Sequence, residues 1–363
     1  SFSYPATILI MLFAWTLLLI PTKTPFVVYD EGFAVFNAAR ITNGDIPYRD
    51  FWSIYPPGQF YTLAILFKTF GTTLFVSRIY DTFVRLLIVF SVWRIAKEIT
   101  SHTQSYFAVI TTALLLGSAG FYSYAVFPAL ALGLLGISTL LRYLDTGQRY
   151  FLFLAGFFLG LTFLFRLDFG LYFGLSVFVT ILLNYLLNMR QKNASSIKIL
   201  FNLSEIVIMA AIILIVVVTI YGYLGILSGF TNLLEQVVIF PATMFRSTRW
   251  LPYPNLLSTT SNFLEWLRFY FPLFVYGVGF FSYVNDLRKK RIILGTQFFG
   301  KLSIFILGVF LFAQALSRYD YIHVIPTSLM ATLVVYSTTS PTLLKSPTLI
   351  IRLMRVLVLS GFI

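Results

Sequence analysis

Long apolar runs, each bounded by charged residues or by Gly and Pro, recur along the whole chain. Most are long enough for a helix of ~20 residues, which can cross a hydrocarbon core of ~30 Å. They predict eleven spans, near residues 4–20, 73–96, 104–120, 124–142, 150–165, 169–188, 200–222, 267–284, 297–316, 324–340 and 347–363. We therefore expect an all-α, polytopic integral membrane protein. We interpret the first run as a transmembrane helix because no small-residue cleavage site follows it.

Residues 58–70 are apolar but too short to span a membrane. As a helix they rise only ~20 Å. We interpret them as a surface or re-entrant helix, which leaves residues 21–72 as one long loop. A second long loop on the same side covers residues 223–266. We expect both to lie outside the membrane core.

The distribution of charge supports this assignment. It places 15 Lys and Arg residues with 4 acids on one side of the membrane, and 11 with 9 acids on the other. The positive-inside rule puts the side with 15 basic residues in the cytoplasm. Most of the net charge of +13 is thus a topology signal, and the two long loops face outward with most of the acids.

Composition narrows the class further. Hydrophobic residues make up 58% of the chain and charged residues 11%, whereas soluble domains carry about 25% charged residues. The absence of Cys excludes disulfide frameworks and thiolate chemistry, and two His cannot build a three-His metal centre. Without visible repeats or linkers, we expect one membrane-embedded domain over 1–363, no separate soluble domain and no nucleic-acid partner.

The first outer loop holds the most notable acids, Asp30 and Glu31, directly after an apolar stretch. They open a short predicted helix, whose N-terminus stabilises carboxylates, so Asp30 as a simple helix cap is one interpretation. A partly desolvated general base at the membrane surface is the other, and the pair of adjacent acids favours it. Further along, Tyr48, Trp52 and Tyr55 are consistent with an interfacial aromatic belt, accompanied by a paired Arg49 and Asp50, or with a substrate site.

The same loop carries three short motifs at fixed spacing, namely DEG at 30–32, PYRDF at 47–51 and PPG at 56–58, followed by an Arg-bearing helix with Arg78. Together they resemble the GT-C glycosyltransferases, in particular the bacterial relatives of protein O-mannosyltransferases and of the lipid A aminoarabinose transferase. The match in residues extends from Asp30 to Arg78. Beyond it, only the layout of spans and loops is similar.

The resemblance implies an inverting transferase that moves a hexose or pentose from a polyprenyl-phosphate donor to an acceptor hydroxyl on a glycan, lipid or protein. It implies a multi-pass protein among the lipids of the bacterial inner membrane, with its active site on the extracytoplasmic face. Asp30 would deprotonate the acceptor, and Glu31 would orient Asp30 or the sugar. It also implies that no metal is obligatory, a divalent cation being possible but not favoured.

Two positions depart from the family pattern. Tyr55 stands where many relatives have a Lys that meets the donor phosphate, and the second outer loop, 117–129, carries no acid. Arg246 and Arg249 therefore suggest an anion clamp, with a basic loop attracted to anionic lipid as the alternative.

Several other outer residues complete the set of substrate-binding candidates. Arg166 and Asp168 predict an internal ion pair or a replacement for the missing acid. His323 would bond the sugar or phosphate, or cap a helix. The full set is Tyr48, Arg49, Asp50, Tyr55, Gln59, Arg166, Asp168, Arg246, Arg249, Arg318, Asp320 and His323. Asp81 and Arg85 share one helix face and are expected to be mainly structural.

Two other classes of function fit the sequence less well than a glycosyltransferase. A transporter or lipid flippase places its ionisable groups near the midplane and often has repeated halves. Here the charges gather at one face, and no repeat is visible. A structural assembly protein would not explain Asp30-Glu31 or the paired arginines. We therefore favour the glycosyltransferase, with the transporter or flippase as the alternative.

Overall fold

The computed structural model describes residues 4–120, 122–190, 201–244, 247–248, 250–254, 263–288 and 295–338. These ranges are almost entirely helical, with an isolated bridge between Pro47 and Phe51 as their only strand-like pairing. The helices are α1 (Tyr4–Leu19), α2 (Phe33–Thr42), α3 (Gly58–Phe70), α4 (Leu74–Ile99), α5 (His102–Gly117), α6 (Val126–Thr146), α7 (Arg149–Phe165), α8 (Leu167–Arg190), α9 (Leu203–Ser228), α10 (Phe230–Leu234), α11 (Phe240–Thr243), α12 (Phe263–Arg288), α13 (Thr296–Ser317) and α14 (Tyr321–Thr338). The predicted all-α class is confirmed.

Ten of the eleven predicted spans coincide with long helices of the described ranges. Seven of those helices are long and apolar enough to cross a membrane, and α7 is apolar but shorter. The chain is thus a multi-span membrane protein, as predicted. The eleventh span, 347–363, lies outside the described residues, so the count of eleven and the single domain over 1–363 stay predictions.

Helix α4 carries charged residues although it lies inside the bundle. It packs against α1, α5 and α6 and buries Ile88, Val92 and Ile95 completely. Charged groups at such depth must find partners within the protein, since lipid offers none. Near the start of α4, Arg78 finds its partners in the first loop, and Arg85 pairs with Asp81 of the same helix.

Small residues let α7 and α9 approach each other closely. A Cβ at Gly160 would lie 2.9 Å from Cβ of Val216, so no larger residue fits there without a shift. Such contacts are the usual means by which membrane helices associate. On α9, the side chains of Leu214, Ile215 and Val218 are exposed, as expected for a surface that contacts lipid.

The predicted outer segments meet at one end of the bundle, which we call the loop face. Here α1, α5, α7, α9 and α13 end and α4, α6, α8, α12 and α14 begin. Hydrogen bonds confirm that the two long loops lie close together. The Gln236 side chain bonds to the backbone of Tyr48 and Ser53, which lie more than 180 residues away in sequence. The short helices α2 and α3 pack on each other there around Ala38, Phe60 and Leu63.

The helix predicted over 58–70 is present as α3 and begins at the last residue of the PPG motif. A Cβ at Gly58 would lie only 2.6 Å from the carbonyl oxygen of Leu164, near the end of α7. Glycine therefore allows the start of α3 to rest directly on α7. This contact places Tyr55 and the PPG motif beside Arg166, the residue that follows α7.

Candidate functional site

A cavity of about 600 Å³ opens at the loop face, between the first loop and the start of α14. Six residues selected from sequence line it together: Asp30, Tyr55, Arg166, Arg318, Asp320 and His323. Its other lining residues are Tyr29, Tyr124, Gln314, Ser317, Tyr321 and Ile322. We call the part formed by Arg166, Gln314, Arg318, Asp320 and His323 the cationic lobe.

A second cavity of about 220 Å³ adjoins the first and shares Tyr29, Asp30, Tyr55 and Tyr124 with it. The remainder of its wall, which we call the aromatic lobe, comprises Phe33, Ala34, Trp52, Ile54, Gln59, Phe60, Ser123 and Ala125. Among the described residues of this wall, Asp30 is the only charged one. Asp30 therefore stands where a cationic and an aromatic space meet.

The Asp30 side chain is presented by a wide, π-type turn over Val28–Gly32. The turn is closed by the Gly32 N–H, which donates to the carbonyl oxygen of Val27 five residues back, at 3.1 Å. Such wide turns are rare in proteins overall, and those that occur are often found at functional sites. Asp30 is half-buried, and no other residue that the structure describes hydrogen-bonds or ion-pairs with its carboxylate.

The other acids of the loop face are mostly paired. Six of them form ion pairs, each with an arginine: Glu31 with Arg78, Asp45 with Arg40, Asp50 with Arg49, Asp81 with Arg85, Asp168 with Arg166, and Asp320 with Arg318. An acid that lines a cavity without such a partner is available to bind a proton from a ligand. In the described cavity wall, this acid is Asp30.

Glu31 has a different environment from its neighbour Asp30. Its side chain is 1% exposed and accepts two hydrogen bonds from Arg78, at 2.7 and 2.8 Å. Arg78 also donates to the backbone carbonyls of Thr22 and Thr24. Glu31 lines neither lobe, and through Arg78 it links the turn of Asp30 to the backbone of Thr22 and Thr24.

A second ion pair lies beneath the first. Asp81 and Arg85 are both fully buried, and Arg85 also donates to the carbonyls of Leu116 and Ala119. The Tyr122 ring lies between the guanidinium groups of Arg78 and Arg85, about 5 Å from each. We call Glu31, Arg78, Asp81, Arg85 and Tyr122 the buried stack. It ties the first loop to the second, and it agrees with the structural role expected for Asp81 and Arg85.

Arg166 and Asp168 form a bidentate pair, with distances of 2.9 and 2.6 Å. Arg166 lines the cationic lobe, whereas Asp168 is not part of the wall. The sequence left two interpretations open, an ion pair or a second acid in the site. The geometry agrees with the ion pair, in which Asp168 fixes the direction of Arg166.

The cationic lobe also contains a hydrogen-bonded network at the start of α14. Asp320 accepts from Arg318 Nε at 3.1 Å and from His323 Nδ1 at 2.5 Å. The other imidazole nitrogen, Nε2, lies 3.1 Å from the hydroxyl oxygen of Tyr124. Burial alone would raise the pKa of the Asp320 carboxyl, but its bonds to His323 and Arg318 lower the pKa overall, so Asp320 is ionised at neutral pH.

Three buried polar side chains face the lobes with unused hydrogen-bonding capacity. Within the described residues, Gln59 Nε2 and Ser123 Oγ in the aromatic lobe have no partner, and neither do Nε2 and Oε1 of Gln314 in the cationic lobe. Burying such groups without a partner costs free energy. A polar ligand in each lobe would satisfy them.

Not all candidates chosen from sequence reach the cavity. Arg49 and Asp50 pair with each other on the surface, where the hydrogen bond from Arg49 and then the Ile46 N–H lower the pKa of Asp50 to about 2. Tyr48 is buried, and its hydroxyl donates to the carbonyl of Tyr55. These three residues line neither lobe; they shape the loop that carries Tyr55. Arg246 and Arg249 lie outside the described residues.

Several wall residues are not among the candidates chosen from sequence, including Tyr29, Trp52, Gln314 and Tyr321. Only Gln314 had a recognisable signal, as a lone amide in an apolar span, where polar groups commonly mark function. Tyr29, Trp52 and Tyr321 could not be told from an ordinary interfacial aromatic belt. Arg268 was also missed; its guanidinium lies 4.5 Å from the centre of the Tyr321 ring.

The fold and the cavity define the class: a multi-span helical membrane protein whose loops enclose an acidic side chain opposite fixed arginines. A family model described as dolichyl-phosphate-mannose-protein mannosyltransferase matches residues 55–221. This match and the structural similarities below confirm the resemblance to the GT-C glycosyltransferases that the sequence predicted.

Two solved structures show the same fold over 92% of this chain. The crystal structure of ArnT from Cupriavidus metallidurans bound to undecaprenyl phosphate matches with a TM-score of 0.57 and 15% identity. The apo oligosaccharyltransferase of Archaeoglobus fulgidus matches with a TM-score of 0.56 and 14% identity. The chain spans 60% of the length of the first protein and 50% of the second. No curated protein sequence gives a significant match.

A third structure contains a dolichol-phosphate. Archaeal AglB from Archaeoglobus fulgidus, in complex with an inhibitory peptide and a dolichol-phosphate, matches with a TM-score of 0.53 and 13% identity, over 92% of this chain and 50% of that one. At this identity the similarity establishes the fold. The chemistry of this chain has to be argued from its own residues.

Proposed function

We propose that the protein is an inverting glycosyltransferase that moves a sugar from a polyprenyl-phosphate donor to an acceptor hydroxyl. One observation carries the proposal: Asp30 is a half-buried carboxylate without a described partner, at the junction of a cationic and an aromatic lobe. A base placed there reaches both the acceptor and the anomeric carbon of a donor whose phosphate lies among the cations.

The cationic lobe suits the donor phosphate. Arg166 and Arg318 present guanidinium groups in fixed directions, because Asp168 and Asp320 hold them. Arginine forks bind phosphate oxygens through two parallel hydrogen bonds and stabilise the charge that develops on a leaving group. Gln314 adds an amide with both of its polar atoms unpaired within the described residues.

An apolar cavity beside this lobe suits a prenyl chain. It measures about 530 Å³ and runs between α3, α4, α6, α7 and α9. Its wall includes Pro57 and Phe165, which are close neighbours in sequence of Tyr55 and Arg166 in the cationic lobe. A charged head next to an apolar cleft is the arrangement that an amphiphile with a phosphate and a long hydrocarbon chain needs.

The aromatic lobe suits a sugar ring or the acceptor that carries the attacking hydroxyl. Phe33, Trp52 and Phe60 provide flat apolar faces, while Gln59 and Ser123 provide polar atoms that lack partners in the described structure. Asp30 takes the proton of the acceptor hydroxyl as its oxygen attacks the anomeric carbon. The phosphate leaves from the opposite face of that carbon, which inverts its configuration.

The location and the reaction partners follow from the same argument. The charge distribution supports a loop face on the extracytoplasmic side of a bacterial inner membrane, where polyprenyl-phosphate sugars are presented to acceptors. We propose a hexose or pentose as the sugar and a glycan, lipid or protein as the acceptor.

The reaction is proposed to need no divalent cation, because Arg166 and Arg318 supply positive charge beside the phosphate. No group of three His, Cys, Asp or Glu within the described ranges could hold a metal ion. Whether a metal is required stays a prediction, and chelation tests it: transfer in EDTA should equal transfer with added Mg²⁺ or Mn²⁺. Loss of activity in EDTA that added metal restores would contradict it.

The function is tested with the purified protein in liposomes that contain polyprenyl-phosphate sugars with labelled hexose or pentose. We expect labelled glycoside to form, polyprenyl phosphate to be released, and a nucleotide sugar without lipid carrier to be inert. Mass spectrometry of the co-purified lipid should detect a polyprenyl phosphate. Turnover of a nucleotide sugar alone, or movement of the lipid across the membrane without a new glycosidic bond, would overturn the proposal.

A further inference from the structure

Asp320, His323 and Tyr124 form a continuous hydrogen-bonded chain along the wall of the cationic lobe. Asp320 Oδ1 accepts from His323 Nδ1 at 2.5 Å and from the backbone N–H of His323 at 3.0 Å. His323 Nε2 lies 3.1 Å from the hydroxyl of Tyr124. Because Tyr124 lines both lobes, the chain leads from a carboxylate to a tyrosine at the ligand space.

The carboxylate determines where the imidazole proton resides. An ionised Asp320 can only accept, so the Nδ1 atom of His323 must carry a hydrogen. In neutral His323, Nε2 is then the acceptor, and the Tyr124 O–H points towards it. When His323 gains a second proton, Nε2–H donates to Tyr124, and the Tyr124 O–H is released towards the cavity. Protonation of His323 therefore converts Tyr124 into a donor for a ligand.

The surrounding charges are compatible with this switch. Around the cavity, the first loop contributes Asp30 and Tyr55, the turn after α7 contributes Arg166 with its partner Asp168, and α14 contributes Tyr321, over which Arg268 of α12 lies. Arg318 shares Asp320 with His323. Asp320 accepts a hydrogen bond from the imidazole, while the two arginines draw an anionic ligand towards the lobe.

We propose that Asp320, His323 and Tyr124 form a proton relay that protonates the phosphate leaving group, an inference that rests on the proposed glycosyl transfer. As the bond between the anomeric carbon and the phosphate oxygen breaks, its electron pair stays on that oxygen. The oxygen takes the Tyr124 proton while Tyr124 takes the Nε2 proton of His323. Asp30 has gained the acceptor proton, so solvent closes the cycle by removing one proton from Asp30 and returning one to His323.

The relay makes phosphate binding depend on pH in a defined direction. Histidine changes charge between pH 5 and 8, and the charged form adds a donor and a positive charge at the lobe. An anion of fixed charge should therefore bind more tightly at pH 5.5 than at pH 8. A phosphodiester such as farnesyl methyl phosphate is a suitable probe, because it does not titrate in this range.

The test measures binding of farnesyl methyl phosphate to the full chain in nanodiscs at pH 5.5 and 8. We expect affinity to be about tenfold higher at pH 5.5 in the wild type. The His323→Gln variant should lose this difference, while His102→Gln, which changes the only other histidine, should retain it. Tyr124→Phe should lower affinity mainly at pH 5.5. Equal affinity at both pH values in the wild type, or a difference retained in His323→Gln, overturns the relay.

Two further readouts separate the relay from the transferase proposal and from misfolding. In protein labelled with ¹⁵N-histidine, His323 at pH 8 should carry its proton on Nδ1, and Asp320→Ala should abolish this preference; a proton on Nε2 in the wild type overturns the relay. If transfer occurs, Tyr124→Phe should lower kcat more than it changes KM, and an unchanged kcat counts against the relay. If binding depends on pH as expected but no transfer is found, the transferase proposal fails instead.

Discussion

The buried stack and the cationic lobe both consist of acids paired with arginines, yet they differ in what remains for a ligand. In the buried stack, Arg78 and Arg85 donate to carboxylates and also to backbone carbonyls, and Arg85 is fully buried. In the cationic lobe, Arg318 keeps 32% of its side chain exposed, and Gln314 beside it has unpaired polar atoms within the described part of the chain.

An ion pair at this membrane surface is therefore not by itself a sign of function. Arginines whose donors are used by protein carbonyls fix loops in place, whereas those with free capacity at a cavity can bind an anion. Substitutions in the two regions should therefore separate, with loss of stability in the first and loss of transfer in the second.

The largest effect on stability is expected for Arg85→Met in the buried stack. It leaves the Asp81 carboxylate buried without its cation, and breaking a buried pair in this way costs about 3–5 kcal/mol. Unfolding by denaturant in mixed micelles measures the free energy of unfolding. Arg40→Met is the matched control; its pair with Asp45 is about one-third exposed, so about 1 kcal/mol or less should be lost. Equal losses in the two variants would contradict the distinction.

The largest effect on transfer among the arginines is expected for Arg166→Gln in the cationic lobe. It removes a charge-assisted hydrogen bond of roughly 1.5–3 kcal/mol to the donor phosphate, so kcat/KM for the donor should fall about 10- to 100-fold. The free energy of unfolding should change far less than in Arg85→Met, because Arg166 borders the cavity. Arg49→Gln, in the exposed pair with Asp50, should transfer normally; a similar loss in both would place the phosphate elsewhere.

A smaller effect is expected for Tyr48→Phe, which tests whether the loop of Tyr55 is held from within. Burial raises the pKa of Tyr48 well above its usual range, so the hydroxyl stays protonated and donates to the Tyr55 carbonyl at 2.9 Å. Loss of this bond should lower the free energy of unfolding by about 1 kcal/mol. Tyr150→Phe, on an exposed tyrosine, should have no effect. A change in donor affinity without a change in stability would instead indicate that Tyr48 touches the substrate.

The smallest effect is expected for Asp50→Asn. The pKa of Asp50 is lowered to about 2, so its pairing contributes stability above the ordinary carboxyl pKa near 4 and loses it as the pH falls through about 2. Because the pair is exposed, melting curves of the wild type and the variant should nearly coincide at pH 7, and the remaining difference should vanish as the pH falls below about 2. A large difference at pH 7 would show that this pair is more than a surface contact.

The sequence predicted the spans and the position of the loop face, because hydropathy and the side of positive charge depend on local composition alone. It also identified seven residues of the cavity walls, since the DEG and PPG motifs lie in the first outer loop and the charged turns of Arg166 and Arg318 lie at the ends of predicted spans. Ten spans, the short helix over 58–70 and the convergence of six candidate residues agree with the structure.

The pairing of side chains could not be predicted in the same way. Asp30 and Glu31 are adjacent in sequence, but the partner of Glu31 is Arg78, 47 residues away, and this contact sends the two carboxylates to different environments. The contact of Tyr124 with His323 spans 199 residues. Such contacts depend on how the helices pack, which one sequence does not reveal.

Asp30 is proposed to be the base for transfer, and the Asp30→Asn variant isolates this role. The substitution keeps the shape of the side chain but removes its ability to take a proton, so kcat should fall by about 10²- to 10⁴-fold, the usual contribution of a general base. Asp45→Asn, another outer acid that is paired with Arg40, is the matched control. Transfer of labelled sugar from a polyprenyl-phosphate donor should be lost in Asp30→Asn and retained in Asp45→Asn. An Asp30→Asn protein that is folded and transfers at the wild-type rate would contradict the account.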